Sequence, residues 1–353
     1  TTNLYTIAGT VNGLAGGTLV VQNNGGDDLA LTANGPFTFP TSIASGAGYA
    51  VTVLTQPGTP AQTCVVTNGT GTVGAANITN VAVNCTTNTY TIGGTVTGLV
   101  GTGLVLQNNG GNNLSVAANG AFTFTTSIAS GATYAVTVLT QPGTPAQTCV
   151  VTNGTGTVGV ANVTNVAVNC TTNTYTIGGT VTGLAGTGLV LQNNGGNNLS
   201  IAANGAFTFS TAIASGASYA VTVLTQPTGQ SCAVTNGSGS VTNANVTSVQ
   251  VTCTTITIAV SAAQIDFGAI DFADSPTQTL TVTNPGTVNL QLQSATIPPG
   301  PFSIVGGTCA PYPRTLAAGA SCTIVIAFRP DGFYVAQGTL TIGSNAQNAP
   351  TLV

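Results

Sequence analysis

The residue types that usually do chemistry in proteins are scarce in this chain of 353 residues. Charged residues make up 2% of the sequence: six acids, all of them Asp, and two Arg, with no Lys, Glu or His. General acid–base catalysis usually relies on His, Glu, Lys or paired carboxylates, and a Ser or Thr nucleophile needs a neighbouring base to activate it. We therefore predict that the chain is not an enzyme, and that it has no catalytic residues and no cofactor.

Two groups of Asp residues are the remaining candidates for a site. Asp27-Asp28 is the one adjacent acidic pair, but Asn takes both places in two further copies of this segment, so these residues are predicted to be turn residues. Asp266, Asp271 and Asp274 are close enough in sequence to contribute to a weak calcium site. A solvated loop is the simpler interpretation of these three carboxylates, and no metal site is predicted.

The eight cysteines fall into four pairs along the sequence. In the first three pairs the two cysteines are 21 residues apart, at the same place in a repeated segment. One pair per domain favours one disulfide per domain, which gives the pairs Cys64/Cys85, Cys149/Cys170, Cys232/Cys253 and Cys309/Cys322. The alternative is structural zinc, but two thiolates without His leave its ligand set incomplete. Persistent disulfides indicate an oxidising compartment, so the sequence predicts a secreted or cell-surface protein.

The low charge excludes several classes of partner. Two Arg cannot neutralise the phosphates of a nucleic acid, and they cannot form a polybasic contact with a membrane surface. No apolar run approaches the ~18 residues needed to span a bilayer, so no membrane insertion is predicted. A net charge of −4 over this length gives little repulsion between copies. Such a surface is permissive toward self-association.

The chain is organised by a repeated segment. Closely similar sequences begin at Tyr5, Tyr90 and Tyr175, and the differences 90 − 5 and 175 − 90 are both 85. A period of this length is one small domain, so each copy is predicted to bury its own core. The predicted domains are repeat 1 (1–87), repeat 2 (88–172), repeat 3 (173–255) and a different C-terminal domain (256–353). The sequence starts at a repeat junction. This start favours either cleavage of a leader peptide at that point or a sequence that is part of a longer array of repeats.

Within each repeat the apolar residues alternate with a period of two, as in half-buried strands. Asn108-Asn109-Gly110-Gly111 is a hairpin signal, because Asn and Gly tolerate the positive φ of a type I′ turn. Seven strands are predicted in repeat 2, at Tyr90–Val96, Leu104–Gln107, Leu114–Ala117, Phe122–Phe124, Tyr134–Thr140, Gln147–Thr152 and Val163–Asn169. Seven short strands without a helix predict an all-β fold, a chain of tandem immunoglobulin-like or fibronectin-like sandwiches.

One connection differs in length between the repeats. Repeat 3 has two residues between Pro227 and Gln230, where repeat 2 has four between Pro142 and Gln147. A deletion of this kind is typical of a surface loop.

The C-terminal domain contains sequence motifs that differ from those of the three repeats. The start Ile265-Asp266-Phe267-Gly268, the turn at 281–286 (TVTNPG), the strand at 316–324 (LAAGASCTI) and the motif Phe328-Arg329-Pro330 occur in order. Together they resemble the hydin-type immunoglobulin-like domain of bacterial "choice-of-anchor D" surface proteins. The resemblance implies a β-sandwich and surface exposure. The three repeats also look like a tandem module of large exported bacterial proteins. This resemblance implies export from the cell, and the module has no defined activity.

The end of the C-terminal domain departs from this family. Its members normally finish with a further strand, and here the sequence reaches Val353 where that strand should start. Either the chain continues, or the strand is shared between copies as in donor-strand assemblies. The predicted assembly strands are Leu4 and Tyr5 at one end and Thr351, Leu352 and Val353 at the other.

The combined sequence features favour an extracellular structural protein. The first hypothesis is a subunit of a self-assembling bacterial surface filament whose partners are other copies of itself, joined by strand donation. The second is a monomeric stalk or an adhesin array that binds cell-surface or matrix polysaccharide. The third is a set of spacer domains from a larger exported protein.

Overall fold

The computed structural model describes residues 2–332, 335–348 and 351–352, and the chain divides into two compact units, Thr1–Asn173 and Thr174–Val353. The described residues form strands and connecting segments, and none of them is helical. Each unit contains two hydrophobic cores, and each of these four cores draws its residues from one predicted domain. The prediction of an all-β chain of tandem sandwiches is confirmed.

The first unit contains repeats 1 and 2, with ten strands each. The strands of repeat 1 are β1 (Leu4–Tyr5), β2 (Ile7–Asn12), β3 (Leu19–Asn23), β4 (Asp27–Leu31), β5 (Gly35–Thr38), β6 (Ile43–Ala44), β7 (Gly48–Thr55), β8 (Gln62–Thr67), β9 (Thr70–Thr72) and β10 (Ile78–Thr87). Those of repeat 2 are β11 (Thr89–Tyr90), β12 (Ile92–Thr97), β13 (Leu104–Asn108), β14 (Asn112–Val116), β15 (Gly120–Thr123), β16 (Ile128–Ala129), β17 (Thr133–Thr140), β18 (Gln147–Thr152), β19 (Thr155–Thr157) and β20 (Val163–Thr172).

The second unit contains repeat 3 and the C-terminal domain. The strands of repeat 3 are β21 (Thr174–Tyr175), β22 (Ile177–Thr182), β23 (Leu189–Asn193), β24 (Asn197–Ile201), β25 (Gly205–Thr208), β26 (Ile213–Ala214), β27 (Ser218–Thr225), β28 (Gln230–Thr235), β29 (Ser238–Ser240) and β30 (Val246–Thr255). Those of the C-terminal domain are β31 (Ala259–Val260), β32 (Thr277–Thr283), β33 (Leu290–Thr296), β34 (Phe302–Gly306), β35 (Arg314–Leu316), β36 (Ser321–Phe328), β37 (Thr341–Ser344) and β38 (Thr351–Leu352).

Each repeat is a sandwich of two four-stranded sheets. In repeat 1 the strand orders are β5-β2-β10-β8 and β4-β3-β7-β9, and repeats 2 and 3 have the equivalent orders. Strand β2 is the first strand of these two sheets in chain order, and β10 is the last. The two pair in parallel, from Gly9 opposite Val81 to Asn12 opposite Asn84. The two ends of a repeat therefore meet in the middle of one sheet.

The core of each repeat follows from the alternation along its strands. In β2 the side chains of Ile7 and Val11 are buried, whereas Thr10 and Asn12, on either side of Val11, are exposed. This alternation arises because neighbouring side chains of a strand point to opposite faces of the sheet. Phe37 and Phe39 pack edge to face, with ring centroids 5.8 Å apart, and the other two repeats contain the same pair. The apolar face of every sheet is thus turned toward its partner sheet.

Glycine is required where the parallel strands meet. A Cβ on Gly94 would overlap the backbone carbonyl oxygen of Val166 in the neighbouring strand, and Gly9 and Gly179 hold the same position in the other repeats. The lack of a side chain therefore sets the close packing of the first and last strands.

The predicted hairpin turn is present in each repeat. In repeat 2, Asn109 and Gly110 have φ angles of 49° and 70°. Positive φ at both central residues is the geometry of a type I′ turn, which matches the twist of the flanking strands. The turn joins β13 to β14, with Asn108 opposite Asn112.

A disulfide joins the last strand of each repeat to the edge strand beside it. Cys64 in β8 lies directly opposite Cys85 in β10, with their Cα atoms 3.9 Å apart. All eight cysteines are bonded, as Cys64–Cys85, Cys149–Cys170, Cys232–Cys253 and Cys309–Cys322. Every bond lies within one predicted domain.

The C-terminal domain is a second type of sandwich. Its sheets have the orders β31-β32-β36-β34 and β35-β33-β37-β38, and its core includes Leu280, Val282 and Ile324. On the neighbouring strands β34 and β36, the rings of Phe302 and Phe328 stack with centroids 4.8 Å apart. All strand pairs among the described residues of this domain are antiparallel, unlike the β2–β10 pair of repeat 1.

A buried amide organises one end of the C-terminal domain. The side chain of Asn284, in the predicted turn at 281–286, is fully buried. Its Nδ2 donates to the carbonyl oxygens of Val288, Leu316 and Ala317 at 2.9–3.1 Å, and its Oδ1 accepts from the N–H of Gly286 at 3.0 Å. One side chain thus ties the turn after β32 to the loop after β35.

Candidate assembly sites

The first predicted assembly strand pairs within its own repeat. Leu4 and Tyr5 form β1, which lies antiparallel to β6 with Leu4 opposite Ala44 and Tyr5 opposite Ile43. The Leu4 side chain is 63% exposed, whereas Tyr5 packs against the core. Repeats 2 and 3 contain the same two-stranded pair. These two residues therefore have an intramolecular partner in each copy of the segment.

The second predicted assembly strand lies at a sheet edge of the C-terminal domain. Thr351 and Leu352 form β38, which pairs antiparallel with β37 through Ile342 and Thr341. Val353 lies outside the described residues. The described residues at the position of the expected further strand thus form a two-residue strand that pairs within the chain. Its use by another copy remains a prediction.

One edge strand of each repeat is covered by a glutamine side chain. In repeat 2, Gln141 follows strand β17, and its Oε1 accepts from the N–H of Cys149 at 2.7 Å. Its Nε2 donates to the carbonyl oxygen of the same cysteine at 3.0 Å. Repeats 1 and 3 have the same bonds, from Gln56 to Cys64 and from Gln226 to Cys232.

The position of the cysteine explains this arrangement. A closely spaced pair of opposite residues in an antiparallel ladder does not exchange hydrogen bonds, so its backbone groups point away from the partner strand. Cys149 and Cys170 are such a pair, with a Cα–Cα distance of 3.9 Å. The amide of Gln141 takes the place of a peptide group from a further strand, and the outer edge of β18 is closed to strand addition there.

We expect Gln141→Ala to weaken repeat 2 and to open this edge. The substitution removes two hydrogen bonds and leaves the N–H and C=O of Cys149 unpaired at a sheet edge, which should cost about 1–2 kcal/mol. Hydrogen exchange of the amides in β18, together with light scattering of the full chain, measures both effects. Gln107→Ala is the matched control, since its amide bonds only the exposed Asn113. Unchanged exchange in β18 would contradict the assigned role.

The acidic pair lies on edge strand β4 of the other sheet of repeat 1, which has the order β4-β3-β7-β9. Asp27 and Asp28 begin strand β4 and so lie in the sheet and not in the turn, which corrects the sequence prediction. The carboxylate of Asp27 accepts from the N–H of Thr41 at 3.3 Å. At the same place in the other repeats, the Nδ2 atoms of Asn112 and Asn197 are buried without a partner among the described residues. The acidic pair therefore has a local structural role.

The junction between repeats 1 and 2 is built from a proline loop and a serine. Ala61 follows Pro60 in the loop before β8; it is 6% exposed, and its N–H donates to Ser130 Oγ of repeat 2 at 2.9 Å. The same hydroxyl donates to the carbonyl oxygen of Gly159 at 2.7 Å. A Cβ on Gly131 would lie 3.3 Å from the Cβ of Pro60. The loop is exposed at Gly58 and Thr59, as expected for a surface loop, and its end at Ala61 also packs against the next repeat.

The junction inside the second unit lacks this proline loop. The shorter connection of repeat 3 places the carbonyl oxygen of Gly229 2.8 Å from the N–H of Ile256, and the N–H of Gln347 donates to the carbonyl oxygen of Ile256 at 3.0 Å. Beside these contacts a cleft of about 960 Å³ opens between repeat 3 and the C-terminal domain. Repeat 3 also has a smaller groove of about 320 Å³, lined by residues 199–208.

The remaining acidic residues do not form a recognisable site. The carboxylate of Asp266 accepts from the N–H of Gly268 at 2.8 Å, and the N–H of Asp274 donates to the carbonyl oxygen of Asp271 at 3.0 Å, as in solvated loops. In the part of the chain that the structure describes, no three His, Cys, Asp or Glu residues are grouped to hold a metal ion. A helix long and apolar enough to cross a membrane is likewise not found among the described residues.

The edge glutamines and the junction loop were not identified from the sequence as functional residues. A signal was available for both, because Gln-Pro ends a strand in each repeat and a cysteine follows the Gln after eight, eight and six residues. The shorter spacing from Gln226 to Cys232 in repeat 3 identifies the junction between repeat 3 and the C-terminal domain as the one without the proline loop.

Comparison with known proteins assigns a family to one part of the chain. Residues 256–353 match the family model described as a HYDIN/CFA65/VesB-like, Ig-like domain. This match confirms the resemblance of the C-terminal domain to hydin-type immunoglobulin-like domains. No curated protein matches the chain in sequence.

Two solved structures share remote similarity with the chain. The Bacillus anthracis TIE protein aligns with 10% identity and a TM-score of 0.44, over 96% of this chain and 62% of that one. A Streptococcal ancillary pilin aligns with 12% identity and a TM-score of 0.20, over 71% of this chain and 99% of that one. The chain thus spans less than two thirds of the TIE protein, and both similarities are too distant to indicate a function.

Proposed function

We propose that this chain is a non-enzymatic structural protein of the bacterial cell surface and a subunit of a self-assembling extracellular filament. The observation that carries the proposal is the outer edge of β34 in the C-terminal domain. Among the described residues this strand pairs only with β36, and four of its five residues are exposed. An exposed apolar edge strand is a template for pairing with another chain.

The side chains on this edge favour another protein chain as the occupant. Ile304 and Val305 are both exposed, Val305 at 56%, and the segment from Phe302 to Gly306 contains no charge or proline. Natural sheets usually protect such edges with charges, proline or a covering side chain. The repeats have a covering glutamine on an edge strand, whereas β34 has no such cover among the described residues. Its protection is limited to its short length and a bulge between Ile304 and Gly306, and this contrast supports β34 as the acceptor edge for a second copy.

The other properties of the chain suit an extracellular filament. Four disulfides are typical of proteins that fold in an oxidising compartment, which supports export. A surface with 2% charged residues opposes close association of copies very little. The prediction that Leu4 and Tyr5 or Thr351 to Val353 are the donated strands remains part of this proposal.

Electron microscopy of the native secreted material, without overexpression, tests the proposal. We expect long uniform fibres in which mass spectrometry identifies this chain as the subunit. If the native material contains only single particles, self-assembly is wrong, and the monomeric stalk or adhesin becomes the leading function. If this sequence is recovered only within a larger exported protein, the spacer hypothesis replaces both.

A charge placed on the proposed edge gives a sharper test. We expect Val305→Lys to abolish fibres, because a lysine on an edge strand opposes the pairing of a further strand. Val160→Lys is the matched control, since Val160 is an exposed valine in a loop of repeat 2, with 66% exposure. Fibres that form equally well with Val305→Lys would rule out β34 as the acceptor.

A further inference from the structure

The cleft in the second unit arises from one difference in sequence. In repeat 1 the Pro60-Ala61 loop fills the junction with the following domain, and Ala61 is buried there. Repeat 3 has only Thr228-Gly229 between Pro227 and Gln230, so the equivalent loop is absent. The C-terminal domain does not fill the space, and a cleft of about 960 Å³ remains. The cleft is open to solvent along much of its surface, so it is a shallow groove and not an enclosed cavity.

The cleft offers hydrogen-bonding groups that are free to bind a ligand. Asn289, Gln293 and Gln347 line it and are exposed, and their side-chain amides have no hydrogen-bond partner among the described residues. Each carboxamide has two N–H donors and an oxygen acceptor. The three residues come from two loops and a strand of the C-terminal domain, and all three line the cleft beside repeat 3.

The other lining residues are apolar or neutral. Val288 is half-buried and contributes apolar surface, whereas Pro227, Ile256 and Ala346 are buried behind the cleft wall, and none of the lining residues is charged. The absence of charge at the cleft gives an anionic or cationic ligand no partner for its charge. A complementary ligand is therefore neutral, with many hydroxyl or amide groups and some exposed C–H surface.

We propose that this cleft binds a segment of a neutral polysaccharide. Vicinal sugar hydroxyls can donate to an amide oxygen and accept from an amide N–H at the same time, and the C–H face of a pyranose ring can cover the apolar side chain of Val288. The binding site belongs to a single chain and does not depend on assembly into filaments. It would give a surface protein a specific contact with its own matrix or with a host glycan.

Isothermal titration calorimetry of the dispersed full chain tests this site. The probes are cellohexaose, maltohexaose and chitohexaose, with an alginate hexamer as the charged comparison. We expect saturable 1:1 binding of at least one neutral hexasaccharide. The double variant Gln293→Ala/Gln347→Ala should weaken that binding by about fourfold or more, since each of the two lost hydrogen bonds contributes a factor of about 2–12. Both side chains are exposed, so circular dichroism should show an unchanged fold.

Two further variants separate the cleft from the rest of the surface. Gln278→Ala removes an exposed glutamine on strand β32 of the same domain, away from the cleft, and should leave binding unchanged. Replacement of Thr228-Gly229 by the four residues 143–146 of repeat 2 restores the longer loop and should abolish binding. The proposal is wrong if no neutral hexasaccharide binds, if alginate binds in preference, or if the double variant binds as well as the native chain. Because dispersed protein is titrated, none of these results depends on whether copies form fibres.

Discussion

Gly94→Ala is expected to unfold repeat 2 of the full chain. The added methyl group would overlap the backbone carbonyl oxygen of Val166, so the parallel strands β12 and β20 in the middle of the sheet must separate. Steric conflicts with backbone atoms belong to the small class of substitutions that cost about 4 kcal/mol or more. A domain of this size has a total stability of about 4–13 kcal/mol at typical values per residue. The substitution therefore removes a large part of the stability of repeat 2.

Hydrogen exchange with mass spectrometry can localise this effect. Amides of β12, β18 and β20 should lose their protection, whereas those of the C-terminal domain should keep it. The control is Gly111→Ala in the same repeat, because an added Cβ on Gly111 would have no neighbouring atoms within 4 Å and the φ of Gly111 is not in the left-handed region. Equal protection in the two variants would show that the parallel strands can move apart at little cost.

Asn284→Ala is expected to destabilise the C-terminal domain by about 3–4 kcal/mol. The substitution leaves the carbonyl oxygens of Leu316 and Ala317 without the Nδ2 donor that reaches both of them. The carbonyl oxygen of Ala317 keeps the N–H of Ala320 as a donor at 3.0 Å, so the cost is that of the four hydrogen bonds made by the Asn284 amide, at about 0.5–1.5 kcal/mol each. Asn284→Asp keeps the shape of the side chain but places an acceptor oxygen against acceptor oxygens, so it should destabilise the domain more than alanine does at neutral pH.

Chemical denaturation followed by hydrogen exchange of the C-terminal domain measures these differences. Gln278→Ala removes an exposed amide from the same domain and should change the free energy of unfolding by less than about 0.5 kcal/mol. If Asn284→Ala behaves like this control, water or a shifted loop satisfies the carbonyl groups, and the buried amide does not hold the turn.

The local structure of the repeats could be predicted from the sequence because it depends on neighbouring residues. The strand predicted at Gln147–Thr152 has the observed bounds, and Asn109-Gly110 forms the expected turn, since alternation and positive φ are properties of short segments. The two short strands Ile128–Ala129 and Thr155–Thr157 were missed. With two or three residues each, they are too short to show an alternating pattern.

The long-range features could not be predicted in the same way. The parallel pairing of β2 with β10 joins residues about 70 positions apart, and nothing in the two segments alone specifies the direction in which they pair. The role of Gln141 depends on Cys149 lying in a closely spaced pair, which only the register of β18 and β20 reveals. The cleft depends on a loop that is missing, so its residues carry no pattern of their own.

The parallel pairing of the first and last strands has a consequence for a protein that is pulled by its two ends. Tension draws β2 and β10 in opposite directions along their length, and the hydrogen bonds from Gly9 opposite Val81 to Asn12 opposite Asn84 are sheared together. In an antiparallel pair at the chain ends the bonds would instead open one after another. The Cys64–Cys85 bond prevents the segment between the two cysteines, residues 65–84, from extending even after rupture. We expect each repeat to resist stretching strongly and to yield only part of its length.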